Sequence, residues 1–161
     1  MKVERQKIVK FCEDYLKVKD FEDYCVNGLQ VEGKDEISKI ITGVSLSQKL
    51  IQEAINKKAD MIMVHHGIFI NMIGNPPSVR GVVKNRIKTL LENDINLCGF
   101  HLPLDAHSKI GNNISLCKLL EVKKPELVYV GYIGELEKEK DFDLFVKEVN
   151  QKLGEIGRAH V

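Results

Sequence analysis

The chain predicts an α/β fold: a largely parallel sheet flanked by helices. Three observations carry this. Helical periodicity alternates with short apolar, β-branched runs in the order α-β-α-β-α-β-α-β-α, the pattern of parallel strands joined by right-handed crossovers. Residues 61–64 are apolar at every position, as a strand buried on both faces requires. Histidines gather immediately after two of these strands, at the sheet margin where open α/β folds place their chemistry.

Each element has its own signal. Ile8, Phe11, Cys12, Tyr15 and Leu16 recur at i, i+3, i+4, i+7 and i+8, one face of an amphipathic helix. Residues 24–33 read as a loop around Asn27-Gly28, a turn signal. Residues 39–44 are β-branched and short, hence a strand. Ser45 with Gln48 makes a capping box, and Leu50, Ile51, Ala54 and Ile55 continue as a helix face. After the strand at 61–64, residues 71–79 form a loop stiffened by Pro76-Pro77. Val83, Ile87, Leu90 and Leu91 mark a third helix, and residues 95–100 a third strand. Gly111-Asn112-Asn113 opens a helix carrying Leu116, Leu119 and Leu120. Residues 127–133 read as a fourth strand, 135–143 as a solvated turn and helix start, and Phe142, Phe145, Val146, Val149 and Leu153 as the last helix.

Composition narrows the class. The 161 residues are 43% hydrophobic and 29% charged, ordinary values for one globular domain with a real core. A net charge of +1 gives no reason to expect a nucleic acid or other polyanion partner. No apolar run reaches membrane-span length, and the first residues lack a signal-peptide core. Cys12, Cys25, Cys98 and Cys117 form no CxxC pair and read as reduced, mostly buried thiols of a cytoplasmic protein.

Chemistry concentrates in two places. His65-His66 closes one strand, and His101, Asp105 and His107 follow the next. Imidazole nitrogen with carboxylate oxygen suits Zn, Mn, Fe or Ni, so His65, His66 and Asp105 are candidate ligands of a divalent-metal site. Adjacent residues on a strand point to opposite faces. The two histidines therefore share one ion only if the strand has ended, as Gly67 suggests; otherwise they serve two neighbouring ions. His101 and His107 are candidates for catalytic, substrate or supporting contacts. The plainer alternative is a set of hydrogen-bonded histidines closing strand ends. Asn27-Gly28-Leu29-Gln30 reads first as a tight turn leading into a strand, and second as a site-lining loop in which Asn27 or Gln30 donates hydrogen bonds.

Taken together, Asn27-Gly28-Leu29-Gln30, Gly43-Val44, Val64-His65-His66, Leu102-Pro103-Leu104-Asp105-Ala106 and Gly111-Asn112-Asn113 resemble, in order and spacing, the GTP cyclohydrolase 1 type 2 homologues, or Nif-three-like proteins. The resemblance spans residues 1–154. It implies an α/β subunit with a dinuclear divalent-metal centre, two ions per subunit, assembled as a ring-shaped homohexamer. By position, His65, His66 and Asp105 resemble the family's N-terminal metal ligands, with His101 beside them. The implied activity is metal-dependent hydrolysis of a nucleotide-like or pterin-like ring, the small-molecule substrate being unknown. A metal-handling or metal-cofactor-binding protein without turnover is the alternative.

The resemblance also implies a histidine and a glutamate from a C-terminal His-x3-Glu segment, which residues 1–161 lack. The last six residues, Ile156-Gly157-Arg158-Ala159-His160-Val161, are what ATC GGA AGA GCA CAC GTC encodes, similar to the start of a common sequencing adapter. The expectation is that residues 155–161 are a non-native tail, that His160 carries no function, and that the chain as written is a truncated fragment. Such a fragment is expected to bind metal weakly, about one ion per chain, and to be inactive.

Overall fold

A computed structural model describes residues 2–70 and 78–154. The loop expected around Pro76-Pro77 and the tail from 155 onward therefore lie largely outside the described residues. The chain divides into two compact units, Met1–Leu104 and Asp105–Val161.

The first unit opens with β1 (Val3–Glu4), α1 (Arg5–Leu16) and a short 3-10 turn, Val18–Asp20. It continues through β2 (Gly28–Val31), β3 (Glu36–Ile37), β4 (Ile40–Ser45), α2 (Gln48–Asn56), β5 (Met61–His66), α3 (Gly81–Glu92) and β6 (Asn96–Gly99). β1 and β3 form a small antiparallel pair. The main sheet has the order β2-β6-β5-β4, with β4, β5 and β6 parallel and β2 antiparallel against β6. The α/β class and the largely parallel sheet are as the alternating pattern predicted.

Both faces of β5 and β6 are covered, whereas Ile40, Thr42 and Val44 of β4 are exposed. Ile62, Val64 and Leu97 pack with Ile51 and Ala54 of α2 and Leu90 of α3. Met61 and Cys98 pack with Val9 and Leu16 of α1 and with Phe100. Burial pushes the Cys98 thiol up to about 12, consistent with an inert core residue. Cys12, Cys25, Cys98 and Cys117 form no disulfide among the described residues.

Several local expectations shift. The buried stripe of α1 runs through Val9 and Leu16, while Phe11 is 66% exposed and stacks on Tyr15 at 5.7 Å. Residues 28–31, read within a loop, form β2, because Gly28 (φ 100°) turns the chain into an antiparallel pairing. The cap of α2 is Ser47, whose hydroxyl accepts from the Leu50 N–H at 3.1 Å; Ser45 is still strand.

The short helix α4 (Leu102–Ala106) leads out of the first unit. The second unit holds α5 (Asn112–Leu119), a hairpin of β7 (Lys123–Val128) with β8 (Gly131–Glu135), and α6 (Phe142–Leu153) capped by Asp141. The single strand expected at 127–133 is thus two strands. The chain reverses at Tyr129, left-handed at φ 57°, with no Asn-Gly to announce the turn. The Asn113 side chain donates to the Val130 carbonyl at 2.8 Å, and the Tyr132 hydroxyl to the Ala106 carbonyl at 2.9 Å, tying the hairpin to its unit.

Candidate metal centre

Parallel pairing between β5 and β6 ends at Val64↔Gly99. His65 and His66 therefore stand past the last β6 partner, at the carboxyl margin of the sheet, and His101 follows β6 at the same margin. The strand continues through His66, contrary to the expectation that it stops before the pair. The rings nevertheless meet: centroids lie 4.4 Å apart for His65 and His66, 4.8 Å for His65 and His101, and 5.6 Å for His66 and His101. One ring nitrogen from each lies within 4.8 Å of those of the other two. His66 is still paired with Ser45 of β4, so the rings meet where the ladder persists on one side of β5 only.

Each ring is held by an oxygen. His65 Nδ1 lies 3.0 Å from the Phe100 carbonyl, His66 Nδ1 2.9 Å from the Ser45 hydroxyl, and His101 Nδ1 3.0 Å from Asp23 Oδ1. A carbonyl can only accept, so the His65 contact is made with the proton on Nδ1. In the neutral ring that puts the lone pair on Nε2. Oxygen-anchored imidazoles of this kind are the usual support of metal ligands. The donor chemistry of His65, His66 and His101 thus fits a divalent cation.

A second group of ligand-type side chains, Asp23, Cys25 and His101, also falls within 4.8 Å. Its carboxylate is already committed. Asp23 Oδ1 accepts from the Cys25 N–H (2.9 Å) and His101 Nδ1, and Oδ2 from Asn27 Nδ2 (2.8 Å) and the Leu102 N–H (3.0 Å). Burial pushes the Asp23 carboxyl up, but these hydrogen bonds outweigh it and hold it below its ordinary value. Asp23 is an organiser of the site. Asn27 completes the frame, its Oδ1 accepting from the His101 N–H at 2.7 Å. The Asn27-Gly28-Leu29-Gln30 stretch leads into a strand, as its first reading had it; Asn27 Nδ2 donates to Asp23 and Gln30 Nε2 to the Val26 carbonyl.

Asp105 and His107 belong to the second unit. There the Asp105 carboxylate accepts from Asn112 Nδ2 at 2.9 Å, and His107 Nδ1 accepts from the Lys109 and Ile110 N–H groups at 3.2 and 3.3 Å. Sequence reasoning did not find Asp23, Tyr24 or Ser45. The only local signal was an acidic residue four positions before Asn27.

An α/β sheet whose parallel strands end under three anchored imidazoles presents side chains that could hold a metal ion. Comparison with known proteins agrees on the family. The sequence profile of Duf34/NIF3 (NGG1p interacting factor 3) matches residues 3–161, and the chain belongs to this family. Similar relatives include the GTP cyclohydrolase 1 type 2 homolog of Yersinia pestis, 46% identical over 84% of this chain and 51% of its own length. The homolog of Haemophilus influenzae is 50% identical over 81% of this chain and 55% of its own length. The chain spans about half the length of the curated relatives it matches. Among solved structures, protein ybgI, of unknown function, superposes with a TM-score of 0.87 at 41% identity, covering 94% of this chain and 61% of that one. Reduced HcgD from Methanocaldococcus jannaschii gives a TM-score of 0.76 at 25% identity, covering 94% and 60%.

Proposed function

We propose that this chain binds a divalent metal ion at His65 and His66, and that the whole protein is a metal-dependent hydrolase of a nucleotide-like or pterin-like ring. The observation that carries the reading is the convergence of three imidazoles, each anchored through Nδ1 to an oxygen. The name shared by the relatives, GTP cyclohydrolase 1 type 2 homolog, supports the substrate class. Asp105 is the proposed anionic ligand, as the family resemblance implies, with two ions of the Zn, Mn, Fe or Ni type per subunit of the whole protein.

A divalent ion held there supplies Lewis acidity and charge neutralisation for hydrolysis. The chain's own residues do the rest. The Phe100 carbonyl and Ser45 hydroxyl orient the rings of His65 and His66. His101, its Nδ1–H donating to Asp23, keeps a lone pair on Nε2 with which to accept a proton from an attacking water. His107 is the second proposed proton carrier. A homohexamer in the cytoplasm completes the proposal. Among the described residues, no helix is long and apolar enough to cross a membrane.

Calorimetric titration with Zn2+ tests the site: His65→Ala is expected to lose about a hundredfold or more in affinity, and an unchanged affinity overturns the assignment. Turnover by the full-length protein on a nucleotide and pterin panel tests the reaction. Metal-dependent hydrolysis that His65→Ala abolishes supports it, whereas tight Zn2+ uptake with no turnover on any member overturns it in favour of a metal-handling protein.

A further inference from the structure

Asp23 is among the most enclosed charged groups of the first unit, its side chain 2% exposed, and it faces a His101 side chain that is 8% exposed. The two are 78 positions apart in the chain. Four donors converge on this one carboxylate, and three have no alternative: two backbone N–H groups and the Asn27 amide. His101 is the fourth, and it alone can change what it offers, because either ring nitrogen can carry the proton. At the other end of the ring, the Tyr24 hydroxyl lies 3.4 Å from Nε2, and the Tyr24 ring meets the imidazole edge-on at a centroid distance of 5.0 Å.

We propose that Asp23 is a positioning residue that locks His101 in its Nδ1–H tautomer, so that Nε2 is the nitrogen presented for chemistry beside the Tyr24 hydroxyl. The use of Nε2 rests on the metal-hydrolase reading; the tautomer is a property of the chain alone. The reason is donor arithmetic. An ionised carboxylate only accepts, so the hydrogen bond to His101 exists only with the proton on Nδ1. Backbone bonds to Asp23 from Cys25 and Leu102 fix the carboxylate itself, and Asn27 fixes the His101 backbone. The ring is thereby held in position, plane and proton placement at once, as a group that must offer one nitrogen repeatedly requires.

Substituting Asp23→Asn is informative because an amide cannot satisfy the site. With its NH2 toward Asn27 and the Leu102 N–H, two donors meet a donor. With its NH2 toward His101 and the Cys25 N–H, only the backbone donor of Cys25 still meets a donor, because the conflict at His101 is relieved if the ring moves its proton to Nε2 and accepts at Nδ1. The second arrangement is favoured, and the tautomer inverts.

The test is long-range 1H–15N correlation NMR of the metal-stripped, 15N-labelled protein at pH 8. The wild type is expected to show His101 protonated on Nδ1 and bare on Nε2. A ring protonated on Nε2 alone, or on both nitrogens, overturns the proposal. Folded Asp23→Asn is expected to shift the His101 tautomer ratio toward Nε2–H by about tenfold or more, since a charge-assisted hydrogen bond is lost; an unchanged ratio overturns it. Should that variant not fold, the wild-type spectrum and Tyr24→Phe still decide. Removing the Tyr24 hydroxyl is expected to leave Nδ1–H in place, and inversion in Tyr24→Phe would assign the control to Tyr24 instead. Zn2+ binding by the wild type is measured separately, so a failed metal reading leaves the tautomer result standing and the reverse.

Discussion

Asp60 precedes β5 at the end of the sheet opposite His65 and His66, and it does structural work there. Its carboxylate accepts from Lys34 Nζ (2.8 Å), the Ser38 N–H (3.0 Å), the Ser38 hydroxyl (2.8 Å) and the Lys39 N–H (3.1 Å). Its carbonyl accepts from the buried Asn96 amide at 3.0 Å. Burial pushes the carboxyl up, but the four donors outweigh this and hold it well below the ordinary carboxylate range. A folded pKa below the unfolded one gives stability that is present above about pH 4 and is lost as pH falls through the folded value. Asp60→Asn is therefore expected to cost about 1–3 kcal/mol at pH 7 in urea denaturation, with the gap to wild type closing in acid. A gap that widens below about pH 4 contradicts this assignment. At this scale the sequence showed the His65-His66 pair plainly, because adjacency at a strand end is a local pattern. Asp23 stayed hidden because its partner lies 78 residues away.

Between elements, Gln30 of β2 acts as a clamp. Its Oε1 accepts from the Ile68 N–H at 2.8 Å and its Nε2 donates to the Val26 carbonyl at 2.6 Å, joining the segment after β5 to the one before β2. The carboxamide occupies space that only glycine leaves open, since a Cβ at Gly67 or Gly99 would collide with it. Gly99→Ala is expected to lower stability by about 1–3 kcal/mol in thermal or urea unfolding. Gly131→Ala, where a Cβ meets only the Val128 carbonyl at 3.8 Å, is expected to stay within about 0.5 kcal/mol. Equal effects at the two positions would refute the clamp. Spacing located the strands that Gln30 joins, but the helix face of α1 was misjudged at Phe11 and Tyr15. Periodicity gives a stripe's width, and which edge of the stripe is covered depends on the partner surface.

Across the molecule, burial is uneven. Met61, Ile62, Leu97 and Cys98 of the first unit are 0% exposed, while every residue of β7 in the second unit is exposed. Opening free energy follows local burial and contact density. Amides of β5 and β6 are expected to exchange with deuterium more slowly than those of β7 by about tenfold or more, and faster exchange in the core strands would overturn this picture. The one expected strand at 127–133 belongs to this exposed region. In place of one strand there is a hairpin, on which Leu127, Val128 and Ile133 are exposed.

Taken alone, the sequence determined the α/β class, the order of the main strands and helices, and the strand tips that carry His65, His66 and His101. Those features follow from hydrophobic periodicity and from residue types at element ends, both short-range properties of a chain. Tertiary structure alone decided that β2 runs antiparallel beside β6, that three imidazoles meet although two of them are consecutive on one strand, and that Asp23 orients the third. Such facts depend on where a ladder stops and which distant segments share one carboxylate, and no local pattern encodes the meeting of residues brought together only by folding.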